Sequence, residues 1–527
     1  MKMNQKDKYI GAMIGAAVGD ALGWPNENNS HNVLKHTKIN TFIDWNRKCG
    51  GRYWPHEEYI KAGEYSDDTQ LLIATLRSLL KKNQWGTYFI KTELPAWLSY
   101  ERGGGGATKN AAKQWLRGIA PWDEKNDVNS IRKYYMAGGN GAAMRIMPHV
   151  FLNETNFEIM MKQVMLNGMY THGHPRALIG AMLYAYGLSC VLSIDGTLEY
   201  GKLIQTLIEG VDVWGKMPTV ENIEHWKDCA ANYAKMEYDL LWNECIEETI
   251  NYLNIANYGI DKGILDVGKE TLEKLGCFDN NINGAGNVTV VICMYLFSKY
   301  ADNPQKGLLE VVNLEKADTD TVASLMGGLF GALYGTSWLP IELRQVQDYN
   351  VFEILVTKLI EGQDDLTYNS RDYKLFTKDN VCSLKIGEQI EVLPFGKIEL
   401  LDIRSEQVYL KDMYANTYLF ITEYEQTLYV SKVGKKPRSE GINIKSENSV
   451  ESDKNIIYLD KEKMKLLGEI FKKIDEIEDF IEIVYKLLSI LEVDDNISKE
   501  DWKDIRERWK KYKITKKQIA KACSVIK

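Results

Sequence analysis

Two short acidic clusters, far apart in the chain, bring together the residue types that bind a cation. The first is Ser66-Asp67-Asp68-Thr69 and the second is Asp318-Thr319-Asp320-Thr321. Each packs two carboxylates and hydroxyls into a few residues and runs into an apolar stretch of helical spacing. Neighbouring carboxylates repel, so such a cluster asks for a cation or for full solvation. Oxygen donors of this hardness suit Mg²⁺, Mn²⁺ or Ca²⁺ rather than zinc. Taken singly, each cluster is equally well a helix N-cap, where Ser and Asp accept from exposed N–H groups and the helix dipole favours negative charge. Two such helix starts in one chain favour the other reading: if they meet in space, they form a two-metal site.

Further segments carry candidate chemistry. Gly15 to Glu27 joins a small-residue helix to a loop ending in a carboxylate. Gly11, Gly15 and Gly19 read as helix-packing positions, and Glu27 as a solvated loop residue or a site carboxylate. Gly138-Gly139-Asn140-Gly141-Ala142-Ala143-Met144-Arg145 is a bare turn entering a helix; it suits a phosphate or ribose cradle, or a plain tight turn. His172 and His174 stand as His-x-His with no third soft ligand nearby, which favours substrate contact or structure over zinc. Glu101 borders the Gly103–Gly106 run.

These segments need elements to hold them. The 527 residues exceed one ordinary domain. Up to about residue 361, apolar periodicity predicts helices over 69–81, 175–192 and 320–334, with no convincing alternating strand, so an all-α domain is expected over 1–365. Val, Ile, Tyr and Thr in short runs, punctuated by Gly387 and Gly396, predict a small β-barrel or sheet over 372–434. Residues 435–455 read as a flexible linker, and 456–527 as a helical segment. Its stripe is Phe471, Ile474, Ile477, Ile481, Val484, Tyr485 and Leu488, and its end is basic. In that end Arg506, Arg508, Lys510, Lys511, Lys513, Lys516 and Lys517 interleave with Trp509 and Tyr512. The pattern suits nucleic-acid or protein contact, or a solvated amphipathic helix.

Composition narrows the classes. The chain is 45% hydrophobic and 26% charged, with a net charge of −8. That gives no overall pull toward nucleic acid or anionic membranes. The eight cysteines are scattered, with no CxxC pair, as reduced core residues of a cytoplasmic protein would be. No signal peptide or membrane span is expected.

In their order along the chain, Gly19 to Glu27, Ser66 to Thr69, Gly139 to Arg145, Thr171-His172 and Asp318 to Thr321 resemble the motifs of the ADP-ribosylglycohydrolase family, over about residues 10–361. The first acidic motif begins with Ser66 where Thr is common, and Met136-Ala137 replaces the Gly-Ser pair of some members. The resemblance implies an orthogonal all-α fold and a centre of two Mg²⁺ or Mn²⁺ ions. It implies Ser66, Asp67, Asp68, Asp318, Asp320 and Thr321 as metal ligands, and Glu27, Asp67 and Asp320 as catalytic groups. Glu27, Gly139, Asn140, Gly141, Met144, His172, Gly284 and Gly286 would contact an ADP-ribosylated substrate. The expected activity is hydrolysis of the glycosidic bond between ADP-ribose and a protein, nucleic-acid or small-molecule acceptor. The other reading is a non-catalytic ADP-ribose- or nucleotide-binding module targeted by its C-terminal segments.

Overall fold

The computed structural model describes residues 4–29, 38–51, 54–263, 268–362, 373–408, 413–435, 461–474, 483–484, 486–487 and 498–526. The expected linker lies outside these from residue 436 on, and so do Ile477, Ile481, Tyr485 and Leu488 of the C-terminal stripe. Contacts divide the chain into two compact units. One takes in Met1–Trp45, Ile60–Leu401 and Phe420–Tyr429; the other takes in Asn46–Tyr59, Asp402–Leu419 and Val430–Lys527.

The first unit is mainly helical, as the periodicity predicts. Its central pair is α1 (Gln5–Gly23) and α5 (Thr319–Tyr334), the latter numbered after α2 (Asp67–Leu79), α3 (Pro175–Leu192) and α4 (Gly286–Tyr300). In α1 a glycine recurs every fourth residue, on one face of the helix. A methyl group on Gly15 would lie 2.1 Å from the Gly327 carbonyl oxygen, one on Gly19 2.0 Å from that of Ala323, and one on Gly23 2.3 Å from that of Thr319. Residue numbers rise along one helix as they fall along the other, so the pair is antiparallel. Each interior glycine costs a helix about 0.5–1 kcal/mol; here the loss is offset by backbones in direct contact. The consequence is functional: the end of α1, with Asp20 and the following turn, meets the start of α5, with Asp318 and Asp320.

Helix α3 begins at Pro175, capped by the His174 side chain, which accepts from the Arg176 N–H. Its mean hydropathy of 1.3 and length would suit a membrane span, but 83% of it is buried, as in a core helix. It packs on α4 through Gly180, where a methyl group would meet Gly286 at 2.3 Å. No disulfide joins the eight cysteines.

The C-terminal strands form one sheet in the order β3 (Lys374–Leu375), β4 (Gln389–Leu393), β5 (Gly396–Gln407), β6 (Tyr414–Thr422) and β7 (Thr427–Gly434). Strand β3 pairs parallel to β4, with Lys374 opposite Val392, and β4 pairs antiparallel to β5. The first unit holds β3, β4 and residues 396–401, 420–422 and 427–429. Within it Phe376, Phe395 and Phe420 cluster with Tyr100, Phe376 and Phe395 standing edge-on at 5.0 Å.

The structure corrects one expectation: β1 (Trp45–Cys49) and β2 (His56–Ile60) form a two-stranded ribbon where no strand was expected. Both are mostly polar; alternation survives only in burial, with His56, Glu58 and Ile60 inward. Arg47 and Glu58 pair across it at 2.6 Å. The second unit has its own core, in which Phe471, Ile505, Trp509, Ile519 and Ala522 are buried.

Candidate active site

The chemistry converges where α1, α2 and α5 begin or end. Ser66 caps α2, its hydroxyl accepting from the Asp68 N–H at 3.2 Å. The cap is therefore real, and it also fixes where Asp67 and Asp68 point. What holds the cap in place is Asp20, a residue that sequence reasoning gave no role. Its carboxylate is fully buried and accepts from the Ser66 N–H at 3.0 Å, the Thr69 N–H at 3.0 Å and the Thr69 hydroxyl at 2.6 Å. An Asp inside an otherwise Gly/Ala-rich apolar helix was the available signal.

Glu27 sits in the 3-10 turn Trp24–Asn29 that leaves α1. One carboxylate oxygen each from Glu27, Asp318 and Asp320 lie within 4.8 Å of one another. Asp320, buried at the start of α5, accepts from the Thr321 N–H at 2.8 Å. Asp68 lies close enough to Thr321 and Asp318 for both to act on its carboxyl, which brings the two clusters together. Asp68 Oδ2 is nevertheless buried with no hydrogen-bond partner among the described residues.

Electrostatics agree with the geometry. Burial, with Glu101, Asp20 and Glu27 as neighbours, holds the Asp67 carboxyl well above the usual range. Burial together with Asp20, Asp67 and Asp318 does the same to Asp68. For Asp320 the causes are burial, then Glu27, Asp318 and Asp68. Anions crowded this way need positive charge. An orphaned buried oxygen within an all-oxygen donor set fits a hard divalent cation. Ser66, Asp67, Asp68, Asp318, Asp320 and Thr321, with Glu27 beside them, are the residues that could hold it.

Beside the carboxylates, two glycine-rich segments are zipped together. The Asn140 N–H donates to the Gly284 carbonyl at 3.0 Å, and the Gly286 N–H to that of Gly138 at 2.9 Å. Asn140 then reaches the acidic group, donating through Nδ2 to Asp318 Oδ2 at 2.8 Å. Gly284 lies on the same oxygen: a methyl group there would sit 3.3 Å from Asp318 Oδ2. One on Gly141 would lie 2.9 Å from His172 Cε1, and one on Gly139 4.0 Å from His172 Nε2. Asn140 and Gly284 thus lie against Asp318, and Gly139 and Gly141 against His172. Met144 is buried in the 3-10 turn that follows. Gly286 faces elsewhere, its missing side chain making room for the Arg176 carbonyl at 2.7 Å.

Arg145, another residue given no role from sequence, clamps this loop. Its fully buried guanidinium donates to the Gly141 carbonyl at 2.6 Å, the Thr171 hydroxyl at 2.7 Å and the Asn167 carbonyl at 2.9 Å. Burial lowers its pKa only to about 9, so it stays charged at neutral pH. Burial and that charge push His172 down to about 3, so its ring is neutral. Its Nδ1 lies 2.7 Å from the Thr171 hydroxyl.

Glu101 borders the site, 3.6 Å from Lys109. In the second unit Trp509 is buried, while Lys511 lies over the Tyr512 ring at 4.8 Å.

Comparisons with known proteins show what the chain is similar to. The ADP-ribosylglycohydrolase family model matches residues 1–368. ADP-ribosylhydrolase ARH3 of Gallus gallus is 23% identical over 63% of this chain and 87% of its own length. The ADP-ribosyl-[dinitrogen reductase] glycohydrolase of Rhodospirillum rubrum is 28% identical over 39% of this chain and 59% of its own length. A solved chain of an ADP-ribosylglycohydrolase-related protein complex covers 68% of this chain and 98% of its own, at 20% identity and a TM-score of 0.44.

Proposed function

Because the chain belongs to the ADP-ribosylglycohydrolase family, we propose that it is a hydrolase that releases ADP-ribose from an acceptor at a site needing two Mg²⁺ or Mn²⁺ ions. The observation that carries this reading is the meeting of Glu27, Asp318 and Asp320 within 4.8 Å, beside the orphaned Asp68 Oδ2. Bound divalent cations would supply charge to grip vicinal ribose hydroxyls and to acidify a water.

The chain's own residues do the rest. Glu27 and Asp318 are half-buried, unlike Asp68 and Asp320; with Asp318 taken as a cation ligand, Glu27 would meet substrate and take a proton from the attacking water. Asn140 fixes the Asp318 carboxylate in one orientation. Gly139, Gly141 and Gly284 keep the floor beside it bare, so that a ribose or diphosphate can approach backbone. His172, neutral, offers a hydrogen bond and no competing charge. Asp20 holds the N-terminus of α2 and needs no contact with substrate.

Family names of relatives support cleavage of an ADP-ribose linkage. The acceptor is tested by offering arginine-linked, serine-linked and nucleic-acid-linked ADP-ribose to the full-length protein, with Mg²⁺ or Mn²⁺ and with chelator. Release from one linkage class, lost in chelator and in Asp318→Ala, is expected. Tight ADP-ribose binding with no release from any linkage would instead support the binding-module reading. The basic segment around Arg506–Lys517 is proposed as a contact for nucleic acid or protein; a salt-independent absence of gel shift with full-length chain removes the nucleic-acid half.

A further inference from the structure

The segment Phe420–Tyr429 follows the family-matched residues by about fifty positions in sequence, yet it belongs to the same compact unit as the acidic site. Two of its side chains reach the stretch that carries Ser66, Asp67 and Asp68 directly, and a third reaches it through Asp348. Gln426 accepts from Arg77 of α2. Thr427 donates through both its N–H and its hydroxyl to Asp348 Oδ1, at 2.9 and 2.8 Å, and the other Asp348 oxygen accepts from the Tyr65 hydroxyl at 2.5 Å. Tyr429 donates to Glu64 Oε1 at 2.5 Å.

The Tyr429 contact leads furthest inward. Glu64 and Arg102 form a buried pair at 2.8 Å, with side-chain exposures of 5% and 3%. The Arg102 guanidinium lies over the Tyr429 ring at 4.2 Å and over the Trp24 ring at 5.7 Å. Both members of the pair border cluster residues. Glu64 precedes Ser66 by two positions. Arg102 precedes Gly103, whose left-handed backbone (φ +97°) runs so close to Asp67 that a methyl group would lie 3.1 Å from its Oδ1. Trp24 opens the turn that carries Glu27. Tyr429 therefore closes a chain of contacts touching the backbone near Ser66, the Asp67 carboxylate and the Glu27 turn.

We propose that Tyr429, outside the family-matched region, is a positioning residue of the acidic site: through the Glu64–Arg102 pair it sets the placement of Ser66, Asp67 and Glu27 and so the site's affinity for divalent cation. This rests on the reading that the site holds Mg²⁺ or Mn²⁺. A metal site tolerates displacements of only about half an ångström in its donors, and partners of ligands are worth on the order of 10- to 100-fold in affinity. Removing a half-buried donor two contacts away is expected to act at the low end of that range. The hydroxyl and the ring make separable contributions, because one holds Glu64 and the other covers Arg102.

The test is a Mn²⁺ titration of the full-length protein, read by the electron paramagnetic resonance signal of unbound Mn²⁺. Parent, Tyr429→Phe, Tyr429→Leu and the exposed-turn control Glu425→Gln are compared, with melting temperatures recorded alongside. Tyr429→Phe is expected to weaken Mn²⁺ binding roughly tenfold, Tyr429→Leu more, and the control not at all. Should Tyr429→Leu fail to fold, Tyr429→Phe decides alone. Melting temperatures that fall while Mn²⁺ affinity stays within about twofold of parent would show a merely structural tyrosine and overturn the proposal. Absence of Mn²⁺ binding by the parent itself would instead overturn the metal reading on which it rests.

Discussion

Asp68 is the residue at which function and stability pull apart. Its buried Oδ2 has no hydrogen-bond partner among the described residues, and Asp20, Asp67 and Asp318 all raise its pKa. A buried polar group left this way costs about 1–3 kcal/mol. Asp68→Asn should therefore raise the melting temperature of cation-free protein while abolishing ADP-ribose release. A fall in both would place Asp68 in the scaffold instead. Asn140 tests the opposite case, a neutral side chain that only orients. Asn140→Ala removes its donor to Asp318 and should lower kcat/KM roughly 10- to 100-fold, with little change in fold. The two acidic clusters were legible because their chemistry is local. Asp20 and Arg145 were not, since each acts on backbone reached only through the fold: Asp20 lies 46 residues from Ser66 in sequence, and Arg145 lies 26 from Thr171.

At the scale of elements, the antiparallel contact between α1 and α5 sets the spacing of the site. Gly15→Ala would place a methyl group 2.1 Å from the Gly327 carbonyl oxygen, where rigid backbone cannot give way. It should cost about 1–3 kcal/mol or more and, by moving Glu27 relative to Asp318, reduce cleavage in the fraction that stays folded. Gly187→Ala in α3 is the comparison. There the methyl group would meet the tip of the Met294 side chain at 2.6 Å. A methionine end can move aside, so both stability and cleavage should stay near parental values. The helices were readable because apolar spacing and Pro175 declare them in sequence, and Gly11, Gly15 and Gly19 were readable as packing positions. The ribbon of β1 and β2 was hidden because its residues are mostly polar, and only their burial alternates. The reach of Tyr429 to Glu64 spans 365 residues, beyond any local pattern.

For the whole molecule, pH and cation binding are linked. Asp67, Asp68 and Asp320 have pKa values raised above the usual range. In cation-free protein, their contribution to stability is present at low pH and is lost as pH rises through the raised values. Three histidines, two of them buried and His174 half-buried, work the other way. His149, His172 and His174 are pushed down to about 4, 3 and 4, so their contribution is present above about 6.5 and is lost as pH falls. Cations occupy the place of the protons on the carboxylates. The rise in melting temperature on adding Mn²⁺ should therefore be greatest at neutral to alkaline pH and shrink toward about pH 4. A cation effect that is flat with pH would dissociate those carboxylates from the binding site.

The most direct measurement is an anomalous difference map from a crystal of the full-length protein soaked in Mn²⁺. The account predicts two peaks enclosed by Ser66, Asp67, Asp68, Asp318, Asp320 and Thr321, with Glu27 at their edge. A map with no peak there, from a protein that still releases ADP-ribose in chelator, would contradict it.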